Sequence, residues 1–378
     1  MRFAPRELRL PNLKSYLEEL TNLRFDARRR APKRSRKGKR VNLALQGGGA
    51  HGAFTWGVAD HLLADGRLKI TGISGASAGA INAVMIADGM ARGGPEEARK
   101  RLAAFWRAAS AGGDLPPVQR AVADRLFSFL PLAPPVQGWF EAMARYFSPY
   151  DLNPLNINPL RDLIDRFVDF ESVRESELQL FISTTNVHTG RTHIFPRDKI
   201  TADVVMASAA LPLLFRAVEI DGVPHWDGGY MSNPPMFPFL QATDADDIIV
   251  VQINPVHRSM TPRSSAEIVN RLNEITFNSA LIAEMRSMQF VNRLIDDGHL
   301  SNGAARNRYR RLNIHRIHLG GLSTRLNAAS KLSTDFHFFD LLRRAGQRAA
   351  RRFLDQHFDA IGVRSSIDVA AESGVEWA

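Results

Sequence analysis

Apolar residues along this chain fall into two recurring patterns. The first is a short unbroken run closed by turn residues. Residues 41–46, 68–73 and 248–254 read this way, as expected of strands buried on both faces of a sheet. Residues 178–187 and 191–195, joined by His188-Thr189-Gly190, predict a hairpin. Residues 218–224 around Asp221-Gly222 predict a smaller one, and 313–319 a last strand. The second pattern has the helical period. It predicts helices over 77–91, 95–110, 158–168, 201–210, 264–297 and 335–357. Pro95-Glu96-Glu97 suits a helix start, with Pro in the first turn and acids at the positive end. Ile268, Leu272, Ile275, Leu281, Met285, Met288, Val291 and Ile295 fall on or near one face of the long helix over 264–297.

The stretch 41–82 combines the two patterns twice, as strand, glycine turn, helix, strand, glycine turn, helix. That is the repeating unit of an α/β sheet, and the rest of the chain is arranged around it. Residues 1–27 predict a short helix near 13–23, and the final 15 or so residues look frayed. Residues 112–150 change character, with six prolines and the aromatics Phe127, Phe129, Trp139, Phe140, Tyr146, Phe147 and Tyr150. They read as an insertion packed on the surface, or as a lid or lipid-contacting flap.

Composition adds three constraints. With 378 residues, 44% apolar and 23% charged, the chain is long enough for a large globular core. It has no cysteine, so disulfides, Cys-ligated zinc and cysteine nucleophiles are excluded. The net charge of +10 is local. Residues 28–40, RRRAPKRSRKGKR, hold nine basic groups and no acid, and without them the chain is nearly neutral. This segment reads as a disordered, solvated linker, or as one drawn to an anionic membrane, where each Lys or Arg contributes about 1 kcal/mol. Nucleic acid is the less favoured partner, because no aromatic interleaves the basic residues. No signal-peptide core and no charge-free run of about 20 apolar residues is present, so neither export nor a membrane span is expected.

The two glycine turns carry the candidate chemistry. Gly47-Gly48-Gly49-Ala50-His51-Gly52 lets bare backbone amides approach an anion closely at a helix start. A dinucleotide-binding reading would need an acid at the end of the next strand. Asp65 precedes that strand, and the serine turn occupies its end. A phosphate-binding loop would need G-K-[ST], which is missing. Gly75-Ala76-Ser77-Ala78-Gly79 has the G-x-S-x-G form, in which a tight strand-to-helix turn exposes the serine hydroxyl. One loop could stabilise an oxyanion and the other attack, which suggests acyl transfer.

A serine nucleophile needs a base. Of the eleven histidines, His51 sits in the glycine loop. His188 and His193 flank the hairpin. His315 and His318 face opposite sides of one strand. His225 is the best histidine candidate, because it adjoins Asp227. Asp227 itself, in Asp227-Gly228-Gly229, is the other candidate.

Taken together the motifs resemble the patatin-like phospholipases. The resemblance rests on four pieces in order: the loop from Gly47 to Gly52, the turn from Gly75 to Gly79, Ala207-Ser208-Ala209-Ala210-Leu211-Pro212, and Asp227-Gly228-Gly229 followed by Asn233-Pro234. It covers roughly residues 41–254. It implies an α/β fold, a three-layer α/β/α sandwich with a mostly parallel central sheet. It implies Ser77 as nucleophile, Asp227 as base in a Ser–Asp dyad without histidine, and an oxyanion hole from the amides of Gly48 and Gly49 with Ala78. No metal or organic cofactor is implied. The substrate expected is a lipid acyl ester, cleaved in the manner of a phospholipase A or lysophospholipase. Members of the family often carry Arg or Lys where His51 stands, and that departure bears on substrate charge.

The organisation expected is therefore a basic extension over 1–40, a catalytic domain over 41–330 with an insertion at about 112–150, and a C-terminal helix and tail over 331–378. The location expected is cytoplasmic, with peripheral association at the inner membrane through the basic segment. Two alternatives stand beside the lipid hydrolase. One is an esterase for another apolar ester, such as an intracellular polyester. The other is a non-catalytic adaptor that binds anionic membranes through residues 28–40.

Overall fold

A computed structural model describes residues 38–110, 148–300, 309–326 and 329–373. The helix expected near 13–23, residues 28–37 of the basic segment, and 111–147 of the aromatic stretch lie outside the described residues. The strands are β1 (Lys39–Leu45), β2 (Leu68–Gly75), β3 (Gln179–Asn186), β4 (Thr192–Pro196), β5 (Val218–Ile220), β6 (Val223–Asp227), β7 (Asp247–Gln252) and β8 (Asn313–His318). The α-helices of six residues or more, among those described, are α1 (Gly52–Asp65), α2 (Ala78–Ala108), α3 (Pro159–Phe167), α4 (Phe170–Glu175), α5 (Ala202–Ser208), α6 (Ser265–Asp296) and α7 (Phe336–His357).

β3, β2, β1, β7 and β8 lie side by side and parallel. β4 and β6 join β3 antiparallel, and β5 closes a hairpin onto β6. All of β7 and the last five residues of β1 are buried. Residues on both faces are therefore covered by helices, the three-layer α/β/α arrangement expected of unbroken apolar strands. Residues 37–378 form one compact unit. Among the described residues no helix is long and apolar enough to cross a membrane.

Most elements lie within a residue or two of expectation. Four differ for physical reasons. First, helices 77–91 and 95–110 are both present but meet end to end in α2 without a loop, at a kink where Gly93 and Gly94 leave helical geometry just before Pro95. Second, the basic segment does not stay a linker to residue 40. Lys39 and Arg40 open β1, where the Lys39 ammonium donates to the carbonyls of Phe358 and Ile361, each at 2.8 Å, and Arg40 pairs with Asp244.

Third, the end of the chain is not frayed up to residue 373. Arg316 on β8 makes a two-pronged ion pair with Glu372 at 2.6 and 2.7 Å, inside a helical turn over Val369–Ser373. Fourth, α6 departs from expectation over its first part only. Ile268, Leu272 and Ile275 are exposed and Glu274, Phe277 and Asn278 are buried, while Leu281, Met285 and Met288 lie inward as expected. The polar pair Glu274 and Asn278 is drawn inward by buried partners described below.

α7 belongs to this same unit. It packs along α1 at two glycine contacts, Gly57 against the Arg343 backbone and Gly346 against the Phe54 carbonyl. Beside this seam Trp106 lies edge-on to Phe339 at 5.1 Å and parallel to Trp56 at 6.5 Å. The seam has no room for a methyl group. Gly57→Ala is expected to push the helices apart and cost about 1–3 kcal/mol. A urea melt checks this, and an unchanged midpoint would show that the close approach is dispensable.

Candidate active site

The site is assembled on β3. Residues 179–182 of β3 pair with β2, 184–186 with β6, and 181–185 with β4. The β4 pairing overlaps both of the others, so β2 and β6 must share the opposite edge. β2 ends at Gly75 opposite Ile182. β6 runs the other way and ends at Asp227 opposite Thr184. The ends of the two strands therefore point at one another, which brings the serine turn and Asp227 together.

The serine turn is strained as the motif requires. Ser77 has φ +54°, a left-handed value that non-glycine residues rarely adopt. The Ser77 amide donates to Ser208 Oγ at 2.9 Å. Two residues on, the Ala210 carbonyl accepts from the Asp227 amide at 2.9 Å. Residues 207–212, seen in the sequence only as a motif, thus tether both candidate residues. The turn is crowded as well. A Cβ on Gly75 would press on the Gly79 backbone, and one on Gly79 would strike the Leu45 carbonyl.

Asp227 is fully buried. Its Oδ1 accepts from the Gly229 amide at 2.7 Å, and its own carbonyl accepts from Thr185 Oγ1 at 2.8 Å. Oδ2 accepts no full hydrogen bond among the described residues. Burial pushes the Asp227 carboxyl up to about 7, against the opposing pull of the Gly229 amide, the nearby Ser77 hydroxyl and the charge of Lys331. Gly228 leaves no room for a side chain against the Ser183 carbonyl, and Gly229 lies against the Phe277 ring.

The glycine loop closes the site. It does not pass straight into a helix, because a 3-10 turn over Gly49–His51 precedes α1. Gly49 takes φ +56° there. A Cβ on Gly47 would sit 2.8 Å from Ser77 Cβ, so this loop and the serine turn interlock. Gly52 is equally confined, its Cβ position lying 2.7 Å from Ala78 Cβ. Among the described residues the amides of Gly48, Gly49 and Ala78 donate to no protein acceptor. The loop is pinned from two sides. The Gly47 amide donates to Asn233 Oδ1 at 2.7 Å, and its carbonyl accepts from Asn254 Nδ2 at 3.0 Å.

Several residues of this frame went unremarked in the sequence. Gln46 Oε1 accepts from the amides of Ile253 and Asn254, both at 2.8 Å, and Gln46 Nε2 donates to Asn278 Oδ1 at 3.0 Å. Lys331 donates to Asn254 Oδ1 at 2.7 Å. A signal existed for Gln46 and Asn254, since each is a polar residue at the end of an apolar strand run. Lys331 had none.

The histidines stand apart. His225 is buried with Nδ1 on Thr184 Oγ1 at 2.9 Å, and its ring lies 5.2 Å from His193. Burial lowers its pKa to about 4. It is a neutral core residue. His51 is also buried, bonded through Nε2 to Ser330 Oγ at 2.8 Å, and burial, with the charge of Lys331, lowers it to about 3. His315 is fully buried on Asp247 while His318 faces out. Among the described residues no cluster of His, Asp or Glu is arranged to hold a metal ion.

A serine turn, a glycine loop and an aspartate gathered at strand ends of a mostly parallel sheet make a mixed α/β protein with its candidate site at the carboxyl edge. The sequence model for the patatin-like phospholipases matches residues 43–240, just over half of the 378 residues. The chain belongs to the patatin-like phospholipase family, and membership implies a hydrolase of lipid acyl groups. No curated protein matches the chain. Among solved structures it is similar to VipD from Legionella pneumophila, with a TM-score of 0.42 and 17% identity over 85% of this chain and 68% of that one. A likeness of that degree adds nothing to the assignment.

The buried carboxyl has a consequence for stability. Folded Asp227 titrates near 7, against an ordinary value of 3.8. Between those values the folded chain holds a proton that the unfolded chain has lost, so stability falls as pH rises through that window. Asp227→Asn is expected to raise Tm relative to wild type at pH 8, with the difference shrinking toward pH 4. A lower Tm for the variant at pH 8 would contradict the assigned burial cost.

Proposed function

We propose that the protein hydrolyses an acyl ester of a lipid through an acyl-enzyme on Ser77, with Asp227 as its base. The single observation that carries this reading is the pairing of a strained serine with a buried carboxyl whose Oδ2 has no full partner. An unpaired acceptor beside a hydroxyl can take its proton, and such contacts often tighten only once substrate is bound.

The steps follow from the positions. Asp227 takes the Ser77 proton as Oγ attacks the ester carbonyl. The oxyanion that forms is met by the amides of Gly48 and Gly49, with Ala78 beside them, and one such donor is worth about 3 kcal/mol. The tetrahedral intermediate collapses, the proton passes from Asp227 to the leaving alcohol, and acyl-Ser77 remains. Water then attacks with Asp227 again as base, and the acid is released.

A carboxylate of ordinary pKa is a weak base toward a serine. Burial raises Asp227 to about 7, which makes it a stronger base while it is still largely ionised just above that pH. The candidate histidines supply no alternative, since both His51 and His225 are held neutral and bonded elsewhere.

Two outcomes are expected. On a chain-length series of nitrophenyl esters and on a labelled phospholipid, Ser77→Ala and Asp227→Asn lower kcat by about 10⁴-fold or more while staying folded. Preference for long chains and phospholipid supports a lipid substrate, whereas preference for short chains points to another apolar ester. Full activity in Ser77→Ala defeats the proposal. In wild type, kcat/KM should rise with pH and reach half its plateau near 7, where Asp227 titrates. A midpoint near 4 would mean that the base is not a buried carboxyl.

A further inference from the structure

Lys331 lies far along the chain from every motif, yet its side chain enters the site. It stands in a short turn over Ala329–Leu332. That turn rests on the glycine loop, with the Lys331 carbonyl against Gly49 and Ser330 Oγ on His51 Nε2 at 2.8 Å. From there the Lys331 ammonium donates to Asn254 Oδ1 at 2.7 Å. Asn254 Nδ2 donates in turn to the Gly47 carbonyl at 3.0 Å, and the Gly47 amide donates to Asn233 Oδ1 at 2.7 Å. A single hydrogen-bonded chain therefore joins this cation to the loop with the open amides and on to the segment after Asp227. The ammonium also lies 5.2 Å from the centre of the Phe277 ring, the ring that abuts Gly229.

Burial lowers the Lys331 ammonium to about 8, and two acids oppose that, Glu274 more strongly than Asp227. Glu274 faces it from α6, but Glu274 is already matched by Arg258 at 3.1 Å and Arg271 at 3.1 Å. His51 is neutral. Tyr230 is held in its neutral form by burial and by Asp227. Glu284, the other buried acid raised to about 7, is engaged by Ser232 and by the amides of Met236 and Phe237. Asp227 has no ion-pair partner within 4 Å among the described residues, and Lys331 is the cation that pulls its pKa down.

We propose that Lys331 is a positioning residue for the Ser77–Asp227 pair, anchoring the glycine loop through Asn254 and supplying a positive charge that favours the carboxylate form of Asp227. The proposal rests on the dyad reading above and gives it a charged partner drawn from outside the motifs. An ammonium near a carboxylate in a poorly solvated site favours the ionised form by about one pH unit or more.

The test is the acid limb of kcat/KM on a nitrophenyl ester, in wild type, Lys331→Met, Lys331→Gln and Lys331→Arg. Glutamine keeps a donor for Asn254 but loses the charge, and arginine keeps the charge. Each variant is first checked for folding by circular dichroism and Tm, and Gln and Arg carry the test if Met does not fold. The expected result is a limb moved up by about one pH unit in Met and Gln and left in place in Arg, with activity at pH 7 lower in the first two. The same shift should persist in a Glu284→Gln background, which removes the other acid titrating in this range. A limb unmoved in folded Gln or Met overturns the proposal, even if activity falls at every pH, because a purely structural residue would give that result. If Ser77→Ala is inactive and the limb does not move, only the role of Lys331 falls. If Ser77→Ala is active, the dyad reading falls first.

Discussion

One edge of β3 does the organising. It carries β2 along its first half and β6, reversed, along its second. Two strands that share an edge head-on must leave a gap where they meet. In that gap the backbone has to turn out of the sheet on both sides, once into the serine turn and once into the 3-10 turn after Asp227. The crowding is a direct consequence. Gly228 sits against the Ser183 carbonyl of β3, and Gly79 against the Leu45 carbonyl of β1. These glycines are spacers that let the turns approach the strand backbones, so a side chain at either would move Ser77 relative to Asp227.

The second constraint is electrostatic. A carboxyl buried this deeply would rather hold its proton, and a protonated Asp227 cannot accept one from serine. Every group around it bears on that balance. The Gly229 amide and the Ser77 hydroxyl favour the anion locally, and burial opposes them. The histidines contribute no charge, since His51 and His225 are both lowered well below neutrality. His51 fills the loop position as a neutral ring against Phe338, at 6.1 Å. The positive charge near the loop comes from the segment over Ala329–Leu332, nearly three hundred residues later in the chain. Charge and loop anchoring are thus separated in sequence and joined in space.

This separation explains what could be read from the sequence and what could not. The strands, the mostly parallel character of the sheet and the four motifs were legible because each depends on local pattern: an unbroken apolar run, a glycine pair, a serine between glycines. Even the long helix α6 was placed in extent. Its facing was legible from Leu281 onward but not before, because hydrophobicity alone put Ile268, Leu272 and Ile275 inward. Glu274 and Asn278 take the inner face instead, since Arg258, Arg271 and Gln46 satisfy them there. A buried polar group with partners outweighs an apolar one whose burial gains about 1.5–3 kcal/mol only if the site has room for it. The shared edge of β3 was also illegible, because register is a property of pairs of strands and of no single run.

The polar residues at strand ends follow one logic. Gln46 ends the β1 run, Asn254 ends the β7 run, and both bond across to the other's segment. Parallel strands release their last amides and carbonyls at the same edge, and in a buried site those groups must find partners. Gln46 and Asn254 satisfy them with side chains, leaving the amides of Gly48 and Gly49 uncommitted. Had the glycine loop bonded its own amides, as a plain turn does, the frame would be just as stable and the pocket for an oxyanion would be gone. The loop is held instead at Gly47, by Asn233 on its amide and Asn254 on its carbonyl, while Gln46 fixes the segment that carries Asn254. A polar residue at the end of an apolar strand, opposite a glycine loop, is therefore a signal worth reading, because it marks where the backbone has been relieved of bonding to itself.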